Sequence, residues 1–151
     1  PIELGSALEK IVSVMQMRYR KVKFELCRPP EDVSICWNPL EFELCLTNVM
    51  KNGAEACQAQ NEAIVQVVLT RHEYTAEIAV LDNGQTDKKS LENASVPLHS
   101  GKKSGLGLGL LIVRTLVERA SGNFSIVREA GHTVARIRLP LTETNNGADA
   151  G

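Results

Sequence analysis

The chain reads as an α+β fold: a two-layer sandwich in which three main helices cover one face of a mixed, mostly antiparallel sheet. Three observations predict it. Apolar residues recur at steps of three and four in two early segments and again after residue 105, the period of half-buried helices. Between and after these segments, apolar and polar residues alternate, the period of strands. Finally, Gly131 separates two alternating runs near the C-terminus, which marks a hairpin.

The first helix is expected from about Gly5 to Arg20, with Leu8, Ile11, Val12 and Met15 as its buried stripe. Ser6 as N-cap and Glu9 three residues on make a capping-box pattern. Short strands follow at 23–27 and 33–36, on either side of a turn at 28–32 rich in proline and acidic residues. Asn38 then caps a second helix that has Pro39 at its first position and runs to about Ala59. Strands at 63–70 and 75–81 are joined through Arg71, His72, Glu73 and Tyr74. From Asp82 to Ser104 no period is sustained, and long aperiodic segments inside a domain are usually functional or disordered. A third helix opens in the glycine run and carries Leu108, Leu111, Ile112 and Leu116. The closing hairpin, 123–129 and 132–139, turns at Ala130-Gly131, with Ala135, Ile137 and Leu139 on one face and Arg136 and Arg138 on the other. Residues 1–140 thus form one domain, and 141–151 a frayed tail.

At 151 residues, 43% of them hydrophobic and 23% charged, the chain can close one core. A net charge of -1 and only 4% aromatic residues argue against nucleic acid or an acidic membrane surface as partner. Cys27, Cys36, Cys45 and Cys57 include no CxxC pair and no histidine at metal-ligand spacing, so they read as reduced, buried thiols of a cytoplasmic protein. No run approaches the length of a membrane span. The chain starts at a proline, not a methionine, and is expected to be cut from something longer.

Three segments carry chemistry. On the second helix Glu41, Cys45, Asn48, Asn52 and Glu55 share one stripe, beside an apolar stripe of Leu46, Val49, Met50, Gly53 and Cys57. Asparagine is a mediocre helix former, and an amide oxygen is a hard neutral ligand suited to Mg²⁺, although two solvated asparagines would give the same pattern. Asp82-Asn83-Gly84 follows a buried strand, where a carboxylate can accept a hydrogen bond from an exocyclic amine such as that of adenine; an ordinary turn has the same composition. Gly105-Leu106-Gly107-Leu108-Gly109 opens a helix, where bare backbone N–H groups and the positive dipole end favour phosphate. It is neither a dinucleotide fingerprint nor a Walker A loop, since Leu110 or Ile112 falls where the third glycine of GxGxxG belongs and Lys103 follows Gly101-Lys102.

In this order the three resemble the nucleotide-binding domain of sensor histidine kinases, within the gyrase/Hsp90/histidine-kinase ATPase superfamily. Leu46-Thr47-Asn48-Val49-Met50-Lys51-Asn52-Gly53-Ala54-Glu55-Ala56 is similar to that family's N box, Asp82-Asn83-Gly84 to its G1 box, and 105–110 to its G2 box. Pro97-Leu98-His99-Ser100-Gly101-Lys102 resembles the lead-in of nitrogen- and oxygen-sensing members. The resemblance implies a Bergerat-type fold that binds ATP and Mg²⁺, with Asn52 as metal ligand, Asn48 near the phosphates, Asp82 at adenine, and Lys51 and Gly84 among the ATP-binding residues. It further places Lys102 and residues Gly105, Leu106, Gly107, Leu108 and Gly109 beside the β- and γ-phosphates, with 83–104 as the lid. The implied activity is transfer of the γ-phosphoryl group to a histidine on a separate dimerisation domain, for relay to a response regulator.

Four departures refine this. Hydrolysing members carry a glutamate where Asn48 stands, so Asn48 favours a kinase over an ATPase. Thr86 replaces the second glycine of DxGxG and Leu98 replaces the lid phenylalanine, which also fits a non-catalytic interaction module. A serine kinase of anti-sigma type shares the boxes, but the segment 97–102 argues against it. Finally, His72, His99 and His132 lack a phosphoacceptor context, so the acceptor helices are expected upstream of Pro1.

Overall fold

The computed structural model describes residues 1–84, 106–129 and 131–142. Within them lie helices α1 (Leu4–Arg18), α2 (Pro39–Cys57) and α3 (Leu106–Arg119). The strands are β1 (Ile2–Glu3), β2 (Val22–Cys27), β3 (Ser34–Ile35), β4 (Ala63–Arg71), β5 (Thr75–Asp82), β6 (Asn123–Glu129) and β7 (His132–Pro140). Five of them form one mixed sheet in the order β2-β4-β5-β7-β6. Only β2 and β4 pair in parallel, because α2 lies between them in sequence and supplies the crossover. The other neighbours are antiparallel, as expected.

One face of the sheet is covered by the helices. Along β4, Ala63, Val65, Val67 and Leu69 are buried while their neighbours are half-buried. From α2, Leu46, Val49, Met50, Gly53 and Cys57 close onto this face, the stripe that the sequence predicts. The opposite face is polar: Glu77 bonds Arg138 at 2.7 Å, and Arg136 bonds Glu129 at 2.8 Å. That ladder keeps the uncovered face compatible with water. The outer edge of β2 is closed by Gln16 of α1, whose amide donates to Val22 O (2.7 Å) and accepts from Phe24 N (2.9 Å). A side chain thereby satisfies an edge that would otherwise invite pairing.

Asn38 caps α2 as expected, its Oδ1 accepting from Leu40 N (2.8 Å) and Glu41 N (3.1 Å). Four expectations need correction. Glu3, not Ser6, caps α1: its carboxylate accepts from Ser6 N (2.9 Å), Gly5 N (3.1 Å) and Val33 N (3.3 Å). Against the opposing effect of burial, these bonds hold the Glu3 carboxyl below its ordinary range. The strand at 33–36 shortens to β3 and pairs with β1 in a separate two-stranded sheet. The buried row of α3 is Leu110, Val113 and Val117, while Leu108 is 70% exposed and Ile112 38%. A nearly continuous apolar run has no unique phase, and docking against α2 and β6 selects one. Of the four free cysteines, only Cys45 and Cys57 are buried; Cys27 and Cys36 are exposed.

Loss of the α1 cap gives a first test. Glu3→Ala should lower stability by about 1 kcal/mol in urea unfolding, whereas Ser6→Ala should cost little. The reverse ranking would restore the capping box.

Candidate nucleotide-binding site

The site grows from the ends of the inward-facing rows of the sheet. On the central strand β5 the buried row runs Ala76, Ile78, Val80 and then Asp82, which is 5% exposed. On β7 the matching row runs Leu139, Ile137, Ala135 and then Thr133, 4% exposed and directly opposite Asp82. A carboxylate and a hydroxyl therefore occupy positions where the pattern calls for apolar side chains, at the same end of the sheet.

The turn after β5 is fixed on three sides. Gly84 N donates to Asp82 Oδ1 at 2.9 Å. Asn83 pairs with β4, its Oδ1 accepting from Ile64 N (3.0 Å) and its Nδ2 donating to Glu62 O (2.7 Å). Gly84 lies so close to the last turn of α2 that a Cβ there would overlap the Ala56 carbonyl oxygen. Close approach, and not a positive φ, is what requires glycine here.

Above the carboxylate sits Gly53 of α2. A Cβ at this position would lie 3.5 Å from both Asp82 Cβ and Oδ2, so the missing side chain leaves a methyl-sized opening against the carboxylate. Burial raises the Asp82 carboxyl to about 6 from 3.8, opposed by the Gly84 N–H and by the charges of Arg128 and His132. Burial, and then the Asp82 charge, also push the Cys57 thiol up to about 11. A buried carboxylate that stays ionised at neutral pH is an acceptor for a polarised N–H, and perturbed groups of this kind cluster at functional sites.

One turn before Asn52, Asn48 is half-buried, and its Nδ2 donates to Leu44 O at 3.0 Å. Its Oδ1 faces α3, 3.7 Å from where a Cβ of Gly109 would stand. Helix α2 is thus the bridge of the site: Gly53 meets Asp82 on one side, and Asn48 meets the first turn of α3 on the other. Asn52 is half-buried, with no hydrogen-bond partner among the described residues. Lys51 is exposed, as is Leu108. Leu106 begins α3, and Gly107 follows in its first turn. Lys102, Gly105, Thr86, Leu98 and most of the expected lid (83–104), together with the tail from residue 143, lie outside the described residues.

Three residues of the site were not anticipated. Gly53 lies in the apolar stripe and in the N-box segment, neither of which gives it a role at the carboxylate. Thr133 and Arg128 come from the last hairpin, where Arg128 Nη1 donates to Gly84 O at 3.0 Å. The available signal was phase: Thr133 falls in step with Ala135, Ile137 and Leu139, so a polar residue was due on the buried face.

A mixed sheet covered on one face by helices, with a buried aspartate at the end of its central strand, is the arrangement expected of an ATPase-type domain. The chain belongs to the family of histidine kinase-, DNA gyrase B- and HSP90-like ATPases, whose model matches residues 38–143. Among its relatives, the sensory histidine kinase/phosphatase NtrB of Klebsiella oxytoca is 28% identical over 144 residues, covering 88% of this chain and 41% of that protein. NtrB of Proteus hauseri is 31% identical over 113 residues, 68% of this chain and 32% of that protein. The chain therefore spans less than half the length of these relatives. In fold it matches the nucleotide-free catalytic domain of histidine kinase ThkA with a TM-score of 0.81 at 19% identity, over 92% of this chain and 93% of that one. Full-length ShkA in complex with AMPPNP matches with 0.80 at 17% identity, over 95% of this chain and 31% of that one. At such identities the likeness is one of fold.

Proposed function

We propose that this domain binds Mg-ATP and donates the γ-phosphoryl group to a histidine on a separate dimerisation domain, for relay to a response regulator. The observation that carries this reading is the buried Asp82 carboxylate beneath the bare Gly53 of the helix that bears Asn48 and Asn52. There the Asp82 carboxylate accepts from the adenine amine, and the Gly84 turn forms the wall of the seat. Asn52 offers a neutral oxygen to Mg²⁺, which prefers oxygen ligands, and the bound ion would neutralise phosphate charge. Lys51, Lys102 and the 105–109 backbone complete the phosphate side, and 83–104 acts as the lid.

Asn48 supports a kinase over a hydrolase. A carboxamide has no basic lone pair to take a proton from water, and its N–H is already bonded to Leu44 O. Phosphoryl transfer to a positioned imidazole asks for orientation and charge neutralisation instead. Leu44 on α2 and Leu108 and Ile112 on α3 are exposed apolar residues on the two helices that meet at Asn48. They support docking of acceptor helices, which belong to the longer protein, as its relatives' length suggests. No helix of the described residues is long and apolar enough to cross a membrane, in keeping with a domain that works in the cytoplasm.

Calorimetry with ATP, with and without Mg²⁺, tests the reading, followed by phosphorylation in trans of a supplied acceptor hairpin. Asn52→Ala should weaken Mg-ATP binding by about tenfold and remove its dependence on Mg²⁺. Unchanged affinity would remove Asn52 from the metal site. Binding without transfer to any hairpin would favour the non-catalytic module.

A further inference from the structure

We propose that Arg128 is a positioning residue for nucleotide binding, tying the Asp82–Gly84 turn to the β6–β7 hairpin and holding the carboxylate ready for its ligand. This deepens the adenine assignment of Asp82 and rests on it.

The case begins with the sheet. Residues opposite one another in an antiparallel pair share a face. Asp82 stands opposite Thr133, and Thr133 opposite Arg128, so the three form one row across β5, β7 and β6. On β6 the row behind Arg128 is Phe124, buried, and Ile126, packed against the core. All three strands therefore end their helix-facing rows in a polar residue at the same level: carboxylate, hydroxyl, guanidinium.

Although Arg128 is exposed, its guanidinium makes three directed bonds. Nη1 donates to Gly84 O at 3.0 Å and to Thr133 Oγ1 at 3.4 Å, and Nη2 donates to Gly131 O at 3.2 Å. Gly84 O belongs to the turn that bonds Asp82, and Gly131 O to the hairpin turn, where φ is 82°. Only a planar fork with several fixed donors can join these three acceptors; a lysine ammonium reaches one or two. The arginine charge also favours the ionised form of Asp82, the form that accepts a hydrogen bond.

Among the described residues, the charged or titratable groups that interact with Asp82 are Arg128 from β6, His132 from β7 and Cys57 from α2. The Cys57 thiol stays neutral near pH 7, because it is pushed up to about 11. The charge of His132 also acts on Asp82, so the pH experiment is also run in a His132→Gln background.

The experiment titrates Mg-ATP into the native chain, Arg128→Met and Arg128→Lys between pH 5 and pH 8, at a temperature where circular dichroism shows all three folded. Arg128→Met should weaken binding about tenfold at pH 8. It should also move upward the pH at which affinity falls away, since removing a positive neighbour makes the carboxyl hold its proton more tightly. Arg128→Lys should return that midpoint most of the way while recovering less of the affinity. Native affinity and midpoint in Arg128→Met overturn the proposal. So does lost affinity with an unmoved midpoint, which leaves Arg128 a merely structural part. Asp82→Asn separates the two readings. If it binds as the native chain does, the adenine assignment fails; if it binds weakly while Arg128→Met is native, only the present inference fails.

Discussion

Replacing Asp82 by asparagine is expected to weaken ATP binding by about a hundredfold while leaving the nucleotide-free domain at least as stable as the native one. The two effects have one cause. The carboxyl, 5% exposed, is raised to about 6 from 3.8 by burial. A group whose folded value lies above its unfolded value binds its proton more tightly when folded. Its ionised form therefore costs stability at neutral pH, here about 2–3 kcal/mol, and the cost disappears as pH falls from about 6 to below 4. Asp82→Asn removes that cost at all pH values and keeps an acceptor for Gly84 N. Toward the ligand it does harm, because an amide N–H₂ can meet the donor amine of adenine, and a neutral oxygen accepts less strongly than a charged one. In the native domain the contribution of Asp82 makes free-state stability rise, and affinity fall, as pH drops through about 6. Thermal midpoints and calorimetric affinities across pH 5–8 measure both slopes. An affinity independent of pH in this window, with Asp82→Asn binding normally, would take the adenine contact away from this residue.

Much of this was legible in the sequence because it is local. Asn38-Pro39 announces the start of α2 through capping chemistry that involves neighbours two and three residues away. The strands β4 to β7 are visible in period-two alternation, and the three boxes lie in the expected order along the chain. What stayed hidden depends on contacts distant in sequence. Glu3 became the cap of α1 because its carboxylate also serves Val33 N, thirty residues on. The phase of α3 was decided by α2 and β6, since its own run of leucine, isoleucine and valine fits a helix in several rotations. Arg128 meets Gly84 across forty-four residues, and no local pattern links them. Thr133 is the instructive case: the alternation that reveals β7 places a hydroxyl on the buried face, but its partner Asp82 is fifty-one residues away and only the strand pairing brings the two together.

Two glycines on either side of Asp82 separate what the fold needs from what the site needs. A Cβ at Gly84 would overlap the Ala56 carbonyl oxygen and lie 2.9 Å from Cys57 N, both backbone atoms of the last turn of α2. Backbone held in a helix cannot rotate aside as a side chain can, so the turn or the helix end must shift. Gly84→Val is therefore expected to cost about 3 kcal/mol or more in urea unfolding and to remove nucleotide binding with it. Gly53 gives the opposite expectation. A Cβ there makes ordinary contact, 3.5 Å from Asp82 Oδ2 and 3.6 Å from Val65 Cγ2, and alanine is a better helix former than glycine by about 1 kcal/mol. Gly53→Ala should leave the free domain as stable as before or more so, yet its methyl would fill the opening against the carboxylate and weaken Mg-ATP binding. Stability lost at position 84 and affinity lost at position 53 without instability would show that α2 is placed by the first glycine and left open to ligand by the second. Full affinity in Gly53→Ala would mean that adenine does not enter through this opening, whatever Asp82 contributes elsewhere.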